Sequence, residues 1–133
     1  MIGLKIGGVP EHFNLPWRLA IESGEFKEKA LDLHWSDMSG GTGQMIRGLE
    51  TRSIDVAILL TEGISKAILQ GLDANIIQVF VTSPLRWGVH VPQQSNIEVV
   101  KQLYNQIFAI SREGSGSQLM AYVIADQYGW DLS

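Results

Sequence analysis

Residues 54–60 read Ile-Asp-Val-Ala-Ile-Leu-Leu, apolar at every position but one. A strand with one wet face alternates. An unbroken run like this one is covered on both faces, the situation of a strand in a parallel sheet held between helices. Parallel neighbours cannot be joined by a hairpin; each needs a crossover of about a dozen residues, usually a helix. The chain supplies strand patterns at residues 4–9, 31–35, 54–60 and 75–81, with helical patterns between them. The order β-α-β-α-β-α-β predicts an α/β fold with a doubly wound, mostly parallel sheet and helices on both faces. Ligands of such sheets bind outside the carboxyl ends of the strands. The segments expected there are residues 8–13, 39–43, 60–63 and 82–87.

The helices carry readable punctuation. Asn14 is placed to cap a helix opening at Leu15, with Pro16 in its first turn and Leu15, Leu19 and Ala20 as its buried stripe. Ser23-Gly24 ends it, and residues 25–30 read as a polar connection. Another helix covers residues 45–52. Thr61 is placed to cap a further one, whose Ile64, Ala67, Ile68 and Gly71 fall on one face. Near Thr82 the organisation changes. Residues 87–91 read as a strand, Ser95 with Glu98 as a capping box opening a helix to about Tyr104, residues 107–110 as a strand, and 118–127 as a helix. The predicted division is a first lobe over residues 1–85, complete or nearly so, and a crossover with a partial second lobe over 86–133. That second part has too few elements to close its own sheet, so self-association or a missing C-terminal half is expected.

Two glycine-rich turns lead from strand patterns into helices: Ser39-Gly40-Gly41-Thr42-Gly43-Gln44 and Gly114-Ser115-Gly116-Ser117. The first N–H groups of a helix have no internal partners and carry the positive end of its dipole. Small residues let a ligand's oxygens approach them, which makes each turn a candidate anion cradle. The hydroxyls of Ser39, Thr42, Ser115 and Ser117 add donors suited to a carboxylate, sulfonate or phosphate. His12 and Phe13 are candidate walls, Thr61 and Glu62 a candidate polar floor. Arg86 and Trp87 offer a guanidinium fork and a flat ring on the hinge side. Trp17, Trp35 and Trp130 read as packing residues, and His34 as structural.

Several chemistries have no support. Gly41-Thr42-Gly43 lacks the third glycine of a GxGxxG fingerprint, Ile46 standing in its place, and no GxxxxGK[ST] loop exists. Ser115 is not in a GxSxG elbow. His12, His34 and His90 lack metal-ligand spacing, and there is no cysteine. No catalytic residue, metal or cofactor is therefore expected. A net charge of −4 with scattered Lys and Arg argues against nucleic acid. The chain as written carries no export leader, which leads us to expect a cytoplasmic protein, or a periplasmic or membrane-associated one if a signal was removed.

Residues 4–9, 39–45, 53–57 and 111–132, taken in order, resemble the type II periplasmic-binding-protein fold. The closest group is the ABC-transporter solute-binding proteins for nitrate, sulfonates, taurine and thiamine-pyrimidine precursors. The resemblance spans the whole chain and about the N-terminal half of a family-length protein. It implies a small anionic or amphoteric ligand clamped between closing lobes and delivered to a transporter permease. The same fold also serves thiamine-pyrimidine synthases and the effector lobes of LysR-like regulators. The synthases' cysteine-rich motif has no counterpart here. Micromolar affinity needs about −8 kcal/mol after association costs, against roughly 1.5–3 kcal/mol per charge-assisted hydrogen bond. One open lobe with two or three donors binds weakly, and closure of both lobes is required for more.

Overall fold

A computed structural model describes residues 1–131. The alternating residues of β1 (Ile2–Gly8) pair in parallel, over their full length, with β2 (Leu31–Asp37), from Ile2 opposite Leu31 to Gly8 opposite Asp37. On its other side β1 takes β3 (Val56–Ile58), also parallel, but only from Ile6 to Gly8. The strand order is β2-β1-β3. The ladder to β3 is prolonged by a side chain. Asp55 accepts the Lys5 N–H at 2.8 Å while its own N–H donates to the Lys5 carbonyl at 2.8 Å.

The helices α1 (Leu15–Glu22) and α2 (Glu25–Glu28) lie between β1 and β2, α3 (Gly41–Glu50) lies between β2 and β3, and α4 (Thr61–Leu69) follows β3. α2 packs on β2, and α3 packs on β1, β3 and α4. The crossover from β1 to β2 moves one way along the sheet and that from β2 to β3 moves back. Right-handed connections then put α1 and α3 on opposite faces. The tandem glycines of β1 register both. A side chain at Gly7 would meet Ile54 and Met38; one at Gly8 would meet Trp35 and Asn14. The buried core of this part consists of Ile6, Leu33, Met45, Ile54, Ile64 and Ala67. Beside it Trp17 stacks on Phe26 (5.8 Å, 8°) and Trp35 (6.4 Å, 28°) and touches Phe80 (5.7 Å).

The chain divides into two compact units, Met1–Phe80 and Val81–Ser133. In the second, a 3-10 turn covers Val100–Leu103 and α5 spans Gly116–Gln127, with Leu103, Ser115 and Ala125 buried. Trp130 contacts Tyr104 and Tyr128. α5 ends in a Schellman turn: Gly129, at φ 64°, donates to Asp126, and Trp130 donates to Ala125.

Several expectations need correction. Residues 75–81, 87–91 and 107–110 are not strands in the described structure. Their apolar side chains stand largely exposed, Ile77 at 82% and Ile107 at 100%, because a strand exists only through a partner ladder, and none is paired with them. Residues 25–28 form a turn of helix where a polar connection was expected, with Phe26 held against Trp17. Asn14 stands at the N-cap of α1 without capping it; its Nδ2 donates back to the Val9 carbonyl at 2.8 Å. Leu60, not Thr61, is the N-cap of α4. The Ser95–Glu98 box does not form. Gln102 instead accepts the N–H groups of Glu98 and Val99 and tightens the backbone into the short 3-10 turn. Of the segment 111–132 that carried the resemblance, Leu132 lies outside the described residues.

Candidate functional site

Because Gly8 and Asp37 are register partners, the loops leaving β1 and β2 emerge side by side. A further bond ties them, from the Met38 N–H to the Gly8 carbonyl at 2.8 Å. The first loop runs through a 3-10 turn, His12–Asn14, cinched by Glu11 N–H to Val9 and Asn14 N–H to Glu11. His12 is exposed and Phe13 half-buried, their rings edge to face at 5.7 Å. An open pocket of about 380 Å³ is lined by Pro10, Glu11, His12, Leu15 and Arg18.

The second loop turns at Met38–Gly41, where Gly41 is buried and left-handed at φ 64°. Its cradle is partly filled by the chain itself. The Gly40 N–H donates to Gln44 Oε1 at 2.7 Å and the Gly41 N–H to Met38 at 2.8 Å. The N–H groups left for a ligand are those of Thr42 and Gly43. Thr42 meets the opening turn of α4, since a side chain at Gly63 would lie 2.3 Å from its methyl. Two helix tips with like-signed dipole ends are thus pressed together, and Thr61 and Glu62 occupy the first two positions of the second tip. The Glu62 carboxylate is favourably placed there electrostatically.

In unit one, then, His12, Phe13, Ser39, Gly40, Gly41, Thr42, Gly43, Thr61 and Glu62 all lie at the carboxyl edge of the same sheet. In the second unit Ser115 caps α5, accepting from Gln118 N–H at 3.3 Å, and its hydroxyl meets that of Ser117 at 2.9 Å. The Ser117 hydroxyl also accepts the Ser111 N–H at 3.0 Å, and Gly116 is half-buried at the first helical position. Arg86 and Trp87 sit on an exposed stretch with no partner among the described residues.

Sequence reasoning missed three features here. Arg18 hydrogen-bonds Asp37, which also accepts from Trp35 Nε1 at 2.9 Å. The Arg18 hydrogen bond comes first, the Trp35 bond second, in holding the Asp37 carboxyl below its ordinary range; the same pairing raises Arg18. Neither partner was visible locally, nineteen residues apart. Asn14 is 1% exposed, and its Oδ1 has no partner. Gln44 and Gln118 close their turns identically, since the Gly114 N–H also donates to Gln118 Oε1 at 2.7 Å. The shared Gly-x-x-x-Gln spacing was the available signal. Among the described residues no three His, Asp or Glu side chains gather as metal ligands.

A parallel sheet with loops and helix tips gathered at one edge defines an α/β protein. No family model and no curated protein matches the chain. Among solved structures it is similar to the Candida albicans CA3427 gene product, which defines a new family of proteins exhibiting the generic periplasmic binding protein structural fold. The TM-score is 0.86 at 32% identity, over 98% of this chain and 42% of that one. The chain therefore has the periplasmic-binding-protein fold and spans well under half the length of that relative.

Proposed function

We propose that the chain binds a small anionic or amphoteric metabolite at the carboxyl edge of its sheet, as part of a two-lobed solute-binding protein. The observation that carries this reading is the contact of Thr42 with Gly63, which sets the tips of α3 and α4 together at the carboxyl edge of the sheet. Thr42 and Gly43 N–H groups serve the acidic group, with His12 and Phe13 as walls and Thr61 and Glu62 as floor. The role is binding, not catalysis, and the downstream partner of this reading is an ABC-transporter permease.

Thermal unfolding of the 133-residue chain against panels of sulfonates, carboxylates, phosphates and pyrimidines tests it. A ligand at a hundred times its Kd adds about 2.7 kcal/mol of stability, a rise of several degrees in Tm. An unmoved midpoint with every class at millimolar concentration refutes the reading.

A further inference from the structure

The sheet stops at β3, yet the chain goes on to a stretch with the residue types of a strand. Residues 75–80 read Asn-Ile-Ile-Gln-Val-Phe, and no charged residue occurs from Ala74 to Leu85. β-branched and aromatic residues without charge or proline are the composition that pairs edge to edge with another strand. Among the described residues the backbone of residues 75–80 makes no hydrogen bond. Ile76, Ile77, Val79 and Phe80 are 54%, 82%, 63% and 41% exposed. Both ends of the stretch are nonetheless held. The Leu72 N–H donates to the Ala67 carbonyl of α4 at 3.0 Å, and the Phe80 ring lies 5.7 Å from that of Trp17. Open ladder groups and open apolar side chains thus coincide between two anchored points.

The uncovered surface gives the size of the cover. Two separate compact bodies as large as Met1–Phe80 and Val81–Ser133 would together expose about 8,300 Å². The chain exposes 10034 Å², a surplus of about 1,700 Å². A permanent homodimer removes about 1,000–2,500 Å² from each copy, so one second copy suffices.

The chemistry of the stretch selects that occupant. Its N–H and C=O groups require a strand edge, and its side chains require an apolar, uncharged face. In a two-fold pair the same patch meets itself, which supplies both at once, and no like charges are brought together. The other open edge of the sheet, at β3, is three residues long with half-buried side chains and offers less.

We infer that the chain forms a two-fold homodimer in which residues 75–80 of the two copies pair antiparallel, with the axis near Ile77 and Gln78. The backbone groups of each copy then gain the ladder partners they lack, and Ile76, Ile77 and Val79 leave water. This stands independently of the binding role proposed above.

Sedimentation equilibrium of the 133-residue chain at micromolar concentration tests it, with an expected mass twice the 14.7 kDa of one chain. Ile77→Lys and Ile77→Glu each set like charges against one another at the axis and reduce the mass to that of a single chain. Circular dichroism stays unchanged in both, because Ile77 is so exposed. Mixing the two variants restores the double mass, since opposite charges then face each other. Should either variant lose its dichroism signal, the native mass and that of Val79→Lys decide. A single-chain mass for the native sequence overturns the dimer and leaves the stretch to a different polypeptide. A dimer untouched by Ile77→Lys, Ile77→Glu and Val79→Lys overturns the assignment to residues 75–80. Charge variants that stay single on mixing overturn the position of the axis. Larger assemblies without a discrete pair overturn the closed two-fold arrangement.

Discussion

Replacing Gly63 by alanine puts a methyl group 2.3 Å from the Thr42 methyl, about 1 Å inside the 3.4 Å at which ordinary contact begins. Thr42 is β-branched and at the second position of α3, so its methyl has few places to go. Overpacking of this kind costs about 1–3 kcal/mol. Against it stands the conformational gain of alanine over glycine in a helix, about 0.5–1 kcal/mol. The net expectation for Gly63→Ala is a loss of up to about 2 kcal/mol. In a Thr42→Ala background the clash is gone, and the same substitution becomes stabilising by about 0.5–1 kcal/mol. That reversal of sign is the diagnostic. Urea unfolding of the four chains, followed by circular dichroism, yields a coupling energy of about 1–3 kcal/mol if the tips touch as described. Stabilisation by the same amount in both backgrounds refutes the contact, and with it the paired helix tips on which the binding site is built.

Gly8→Ala would bring a methyl group within 2.5 Å of the Trp35 ring; a loss of about 1–3 kcal/mol and a shifted tryptophan emission are expected. Asp37 titrates below its unfolded value because Arg18 and Trp35 bond its charged form, so its contribution to stability is present above about pH 4 and is lost as pH falls through the depressed folded value. In Asp37→Asn the urea midpoint should therefore fall less steeply between about pH 4 and pH 2 than in the native chain. Gln44→Ala and Gln118→Ala each remove an acceptor from a glycine N–H and should cost about 0.5–1.5 kcal/mol in unfolding experiments, whereas Gln44→Glu keeps the acceptor, adds a favourable charge at a helix start, and should match or exceed the native stability.

Part of what a local pattern determines was legible in the sequence, but the buried stripe expected at Leu15 and Leu19 did not form, since both stand more than half exposed. The run at residues 54–60 announced a parallel sheet. Ile64 and Ala67 announced the inward face of α4, and Ser39–Gly43 the entry to α3. The candidate residues of the first unit were placed at the carboxyl edge because topology alone dictates that position. What could not be read was whatever depends on a distant partner. Ile76, Ile77 and Val79 have the composition of a strand, but a ladder is a property of two segments, and these side chains are exposed. Arg18 and Asp37 meet because β2 returns alongside β1, not because of any feature near either. Asn14 looked like a cap since its residue type and position fit one. The carbonyl of Val9 competed for the same amide and won.

Gly7 and Gly8 leave the sheet only one backbone thick at the end where its loops depart. Met38 and Ile54 press on one side of that thin wall, Trp35 and Asn14 on the other. A guest that nudges the root of α3 has just a single peptide layer to push through before the first loop feels it, so a drumskin, and no chain of intermediaries, would carry news between the two sides.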